Sequence, residues 1–350
     1  MKNKTITLLL VGIFACALLF SPSCQRKPAT IGSFDKIIVL ADSLLWPQVE
    51  DDVRAALEVE TMTPQPEAIF KISQRSPEDL GDLTRYTNLL LIGTLQSQGH
   101  TKELLDKLLN DESKKRVEMD SSFFFQKKNA WARDQMLAVL VAKDVPTLKK
   151  QIQTHKDLIF RVFDDNTQNI VSASLYYSFE QKDIEKKFLQ EHGWTVRVQH
   201  DYIVAIDSSE ARFVWLRRMG PQRWFSVYWE PVADPSILSK EWMLAKRDSL
   251  AKQFYEGDFV YQDDGLKVTE KDIDFNGRFA IQLDGIWQNK KLVVGGPFRS
   301  IGFYNKSDGR IYLIDCAVLA PGRKKWPFMR QLIAMANTFK TADEIKKKEK

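Results

Sequence analysis

The 350-residue chain has few of the residues on which protein chemistry most often rests: three cysteines and four histidines. His100, His155, His192 and His200 do not pair with one another, or with a nearby glutamate, at the spacing of a zinc-binding helix. There is no Gly-x-Ser-x-Gly nucleophile elbow, no Gly-x-x-x-x-Gly-Lys phosphate loop and no Gly-x-Gly-x-x-Gly dinucleotide turn. The common signatures of serine hydrolases, P-loop nucleotidases and dinucleotide enzymes are therefore missing, and no catalytic residue, cofactor or metal is expected. Charge of one sign is also scarce. A formal net charge of +5 is too mild to imply a nucleic-acid partner.

The longest apolar run lies at the start of the chain, and it carries the most information. Lys2 and Lys4 precede an apolar stretch from Ile6 to Phe20, and Ser21-Pro22-Ser23-Cys24 follows. A positive segment, an apolar segment and small residues before a cysteine make a secretory signal that ends in a lipid-attachment site. The thiol of Cys24 takes diacylglycerol and the freed amine can be acylated, and two or more chains hold a protein on a membrane where one would be marginal. Ser21 stands where leucine is usual, which suits the looser lipoprotein signals of Bacteroidetes-type bacteria. The rival readings are an uncleaved span, for which the run falls short of roughly 20 apolar residues, cleavage before Cys16 in Ile13-Phe14-Ala15-Cys16, and ordinary signal cleavage without lipid. No aspartate adjoins Cys24 in Gln25-Arg26-Lys27-Pro28. The expectation is an outer-membrane anchor with the body facing the periplasm. With Cys24 lipidated, Cys316 is left alone and no intrachain disulfide can form.

The expected organisation is a signal over residues 1–23, a polar tether over 24–33, an α+β half over 34–192, a second over 193–340 and a charged tail over 341–350. Lys36–Ala41 reads as a strand. Asp42-Ser43 then caps a helix with Leu45, Val49, Val53, Ala56 and Leu57 on one face. Asn88–Ile92 reads as a strand ended by Gly93, and Thr101 as the cap of a helix reaching Val117. One unit recurs three times: strand, basic turn, long apolar strand, proline, helix. It begins at Phe123-Phe124-Phe125, at Phe213-Val214-Trp215 and at Ile301-Gly302-Phe303. The second strand of each is apolar on both faces and so needs cover on both. These hairpins predict an α+β fold: largely antiparallel sheet built from repeated hairpin-plus-helix units, with helices packed on the sheet.

Few groups offer chemistry. Cys316 lies in the apolar run Ile314–Val318 and is expected in the core. His192, before Gly193, suits a helix C-terminus. Gly295-Gly296-Pro297-Phe298-Arg299 reads as a turn between strands. Asp272–Gly277 imitates a calcium loop, but its twelfth position is Leu283, and Asn276-Gly277 is a hairpin turn. Asp263-Asp264 beside Gly265 also reads as a turn. Basic residues gather near the expected hairpin tips: Lys127 and Lys128, Arg217, Arg218 and Arg223, Lys306 and Arg310, with Arg323-Lys324-Lys325 after the last hairpin. If the tips share one edge, Lys127, Lys128, Arg218, Arg223, Arg323, Lys324 and Lys325 form a surface for an envelope protein or an anionic glycan or lipid. Exposed turns that are simply charged are the plainer reading.

With its lipoprotein signal, the Trp46-Pro47 segment, the Pro64-Gln65-Pro66-Glu67 loop and the Gly295–Ser300 segment, the chain resembles an uncharacterised Bacteroidetes lipoprotein family whose domain is of unknown function (DUF4837-like). The resemblance is expected to extend over nearly the whole mature chain. It implies a location, and no activity or catalytic residues. The functional expectation is an envelope-anchored, non-enzymatic binding or assembly role. A periplasmic hydrolase of glycan or peptide and a carrier of small ligands or lipid are the alternatives.

Overall fold

The computed structural model describes residues 27–255, 257–262 and 267–348. Cys24, the signal segment, Asp263-Asp264 and the last two tail residues lie outside the described residues.

The first half is a five-stranded sheet. Its strands are β1 (Lys36–Leu40), β2 (Lys71–Arg75), β3 (Asn88–Thr94), β4 (Phe124–Lys128) and β5 (Met136–Ala142). Their order is β2-β1-β3-β5-β4. The first four in that order run parallel, and β4 closes the edge as an antiparallel hairpin with β5. Strands β3 and β5 are buried along their full length, as apolarity on both faces requires. On one face pack α1 (Trp46–Leu57), α4 (Val145–Thr154) and α5 (Lys156–Leu175). On the other lie α2 (Gly99–Leu108) and α3 (Asp111–Glu118).

Two local expectations are corrected here. The helix from Thr101 to Val117 is two helices, broken at Leu109-Asn110, where the Asn110 side chain accepts from the Ser113 N–H at 2.8 Å and starts α3. Thr101 is buried inside α2 rather than capping it. Gly93 does not end its strand: a Cβ there would meet Leu105 at 2.9 Å and Thr101 at 3.0 Å, so glycine admits α2 against β3.

The second half is an eight-stranded antiparallel sheet. It uses β6 (Ile203–Ser208), β7 (Phe213–Arg218), β8 (Gln222–Pro231), β9 (Phe259–Tyr261), β10 (Thr269–Asp274), β11 (Phe279–Asn289), β12 (Val294–Asn305) and β13 (Arg310–Leu319). The order is β9-β11-β12-β13-β8-β7-β6, with β10 also paired to β11. The helices α6 (Lys182–His192) and α8 (Trp326–Ala336) cover one face, and α7 (Lys240–Phe254) covers the other. All three hairpin-plus-helix units are present, as β4-β5-α4, β7-β8-α7 and β12-β13-α8. The molecule is α+β with largely antiparallel sheet, and the parallel core of the first sheet is what the hairpin pattern did not convey. Asn276 and Gly277 (φ 55° and 79°) form the two-residue turn between β10 and β11. Gly295 to Arg299 is not a turn but the interior of β12.

Candidate functional site

The two halves meet along a seam between α5 and α8. The segment before α8, Arg323-Lys324-Lys325, is part of it. The Lys325 ammonium lies 3.2 Å from a Glu67 carboxylate oxygen, and both side chains are about nine-tenths buried. Glu67 does more than pair. Its other oxygen accepts the backbone N–H groups of Lys325 at 2.8 Å and Trp326 at 3.2 Å. A helix start leaves N–H groups unsatisfied and favours negative charge. Helix α8 lacks a capping side chain of its own, and a carboxylate from the first half supplies one. The small hairpin of Glu60–Thr61 and Glu67–Ala68, turning through Pro64-Gln65-Pro66, presents it.

Two further ion pairs cross the seam. Lys324 binds Asp35, whose carboxyl is raised by burial but held net below its ordinary range by hydrogen bonds from Lys324 and Ser33. Arg330 of α8 binds Asp164 of α5, and Gln168 donates to the Arg330 carbonyl at 2.9 Å. Trp326 stands between the Arg299 and Arg330 guanidinium groups, 5.4 and 5.6 Å from its ring centre.

This tryptophan separates two open clefts. One, of 360 Å³, is lined by Ser33, Phe34 and Asp35 before β1, by Thr167, Val171 and Leu175 of α5, and by Lys324, Trp326 and Arg330. The other, of 350 Å³, lies on the far side of Trp326 against Phe160, Asp284 and Arg299. The first holds apolar, hydroxyl and charged groups together, the mixed lining of a site that binds by shape and a few polar contacts.

The approach to the first cleft is stapled down. The Ile31 N–H donates to the Arg85 carbonyl and the Arg133 N–H to the Pro28 carbonyl, each at 2.8 Å, and Lys27 reaches the Ala130 carbonyl at 3.1 Å. Residues 27–33, part of the expected polar tether, run along the end of the first sheet, bonded to it.

The seven basic residues singled out in the sequence are distributed over three places. Lys127 and Lys128 are exposed on β4, an edge strand, where lysine discourages pairing with another chain. Arg218 binds Asp201 and the Gln199 carbonyl oxygen of its side chain, and Arg223 is 3% exposed, bonded to Gln331 and 5.2 Å from the Phe328 ring centre. Burial disfavours the charge of Arg223. Arg323 to Lys325 lie at the seam. The tips of the second and third hairpins do not share an edge. Gln222 pairs opposite Leu319, whereas Arg310 lies opposite Pro231, at the other end of the sheet.

Cys316 is buried among β8, β12 and β13, and burial pushes its thiol pKa well up. His192 ends α6, as expected, before Gly193 in the left-handed region. Its Nε2 lies 2.7 Å from Asp207 and its ring packs 4.7 Å from Trp229, inside the core. Glu191 completes a group with His192 and Asp207 whose ligand atoms lie within 4.8 Å. Glu67 had no signal of its own: its chemistry depends on a helix more than 250 residues away.

Residues 181–338 match the family model described as domain of unknown function DUF4837, and residues 30–176 match that of DUF8532. The first match therefore does not extend over the whole body: Trp46-Pro47 and Pro64-Gln65-Pro66-Glu67 lie in the second. No curated protein matches in sequence. Among solved structures, the Ran-binding protein Mog1p of Saccharomyces cerevisiae is 14% identical over 44% of this chain and 92% of its own, with a TM-score of 0.30. LpqN of Mycobacterium tuberculosis, involved in cell envelope biogenesis, is 13% identical over 42% of this chain and 81% of its own, at 0.29. Likeness at that level assigns neither protein's role to this chain.

Proposed function

We propose, for a chain whose residues 181–338 match the family model of DUF4837 and residues 30–176 that of DUF8532, a non-enzymatic binding or assembly role in the cell envelope, with Cys24 lipidated and the body facing the periplasm from the outer membrane. The observation that carries the reading is the stapled segment from Lys27 to Ser33. Between Cys24 and Lys27 only Gln25 and Arg26 intervene, a reach of about 10 Å. An anchor at Cys24 therefore holds the Pro28–Arg133 end of the first sheet close to the bilayer. Lys27, Arg85, Lys127, Lys128 and Arg133 cluster toward that end, and anionic headgroups attract such residues. The cleft lined by Ser33, Phe34 and Asp35 then opens near the membrane, within reach of a partner that is itself anchored there.

The test uses a photo-crosslinking residue at Val171, in the cleft, in intact envelopes. A reproducible adduct that disappears in Cys24→Ala supports the reading. Unchanged membrane attachment of Cys24→Ala refutes the anchor. An adduct spectrum no different from that of a residue placed on α3, on the opposite face of the first sheet, refutes the cleft.

A further inference from the structure

A third cavity, of 270 Å³, lies in the second half on the α7 face of its sheet, away from the seam. It sits beyond the end of α7, beside the turn between β7 and β8. Aromatic rings make most of it. Trp224 and Tyr255 lie nearly parallel, 10° apart with centroids at 6.1 Å. Trp215 stands across both, at 79° to Trp224 and 77° to Tyr255. Trp287 backs Trp224 at 4.8 Å. Arg217 and Asp258 are both in the lining: one terminal nitrogen of Arg217 donates to Gln222 at 3.1 Å, and the Asp258 carboxylate accepts from the Asn289 amide at 2.7 Å.

The polar atoms of these walls are unbalanced. The indole N–H groups of Trp215, Trp224 and Trp287 and the Nε–H of Arg217 are buried with no hydrogen-bond partner among the described residues. A buried donor without an acceptor is costly, and four among the residues of one lining call for a ligand rich in acceptors. An alkyl chain would leave them unmet. A cationic ligand, which aromatic cages otherwise suit, would meet the Arg217 charge, while the Asp258 carboxylate is 6% exposed and already accepts from Asn289. A pyranose ring answers both features: its C–H face stacks on an aromatic ring while its oxygens accept hydrogen bonds, and a carboxylate on it would face the guanidinium. The volume suits one ring rather than an extended chain.

We propose that this cavity binds a single acidic pyranose, a uronic acid, free or at the end of a glycan. This is independent of the seam reading. The probe is glucuronic acid, added to the purified chain carrying Cys24→Ala and followed by tryptophan fluorescence and by saturation-transfer NMR. Glucose, laurate and tetramethylammonium are the comparisons. Glucuronic acid is expected to bind about tenfold more tightly than glucose. Arg217→Met should lower it to the level of glucose and leave glucose unchanged, and Trp215→Leu should weaken both at least tenfold. Far-UV circular dichroism on each variant separates lost binding from lost fold. Glucuronic acid bound alone with oligosaccharides it terminates bound equally well identifies a glycan end, and oligosaccharides excluded identify the free sugar. Laurate or tetramethylammonium binding in preference overturns the proposal. So does the absence of any sugar signal at millimolar concentration in the folded wild-type chain.

Discussion

Gly296 and Cys316 illustrate how much rests on single positions. A Cβ built on Gly296 would lie 1.9 Å from the Val318 carbonyl and 3.2 Å from the Trp287 indole nitrogen. The backbone of β12 passes close to β13 there because no side chain intervenes, and that lets Trp287 be fully buried beside it. Gly296→Ala should therefore destabilise the fold by about 1–3 kcal/mol through overpacking, read as a lower midpoint in urea, whereas Gly309→Ala, in open space but at a positive φ, reports backbone strain alone. Cys316 is 1% exposed and its thiolate is disfavoured by burial. In a Cys16→Ser, Cys24→Ala chain, a thiol reagent should label it only after denaturation; prompt labelling of the native chain would contradict its placement. The core role of Cys316 was legible in its apolar surroundings. The need for glycine at Gly296 was not, because it comes from a contact with β13, and the glycine pair suggested a turn instead.

At the scale of elements, α8 depends on a carboxylate from the other half. Glu67→Gln leaves Lys325 charged, buried and unpaired and weakens the cap, and should cost about 3–5 kcal/mol. Adding Lys325→Met should recover much of that, since removing both charges is far less costly than orphaning one. A double-mutant cycle by urea unfolding measures the difference. Helix α6 is fastened to β6 by Asp207, which pairs with Lys187 at 2.7 Å and with His192. Burial raises the Asp207 pKa, but those hydrogen bonds outweigh it and the net value is lowered. A lowered folded pKa gives stability that is complete above the unfolded value, about 3.9, and is lost as pH falls through the folded one. Stability measured against pH should thus fall below about pH 4, and Asp207→Asn should flatten that limb. The periodicities of the strands and the Asn276-Gly277 turn announced most elements in the chain. The break between α2 and α3 escaped because Asn110 works as a cap only once Leu109 leaves the helix.

For the whole molecule, the seam decides how two sheets behave as one body. Trp326 packs against the cores of both halves, and three ion pairs cross beside it. Unfolding in urea is expected to be a single transition by fluorescence and circular dichroism, with Glu67→Gln the variant most apt to split it; two transitions in the wild-type chain would mean the halves are independently stable. Composition and local pattern were enough to establish an α+β body with strands covered on both faces and hairpins followed by helices, because burial and turn chemistry act over a few residues. They were also enough for an expected lipid anchor at Cys24. What they could not convey was the parallel core of the first sheet, the fixing of residues 27–33 to it, and the fate of the basic residues. Lys325 and Arg223 look like surface charge in the sequence, yet both are buried, one beside Glu67 and the other against Phe328. Whether a charge meets solvent or a partner depends on groups brought close by the fold from far along the chain, and local sequence holds no record of that distance.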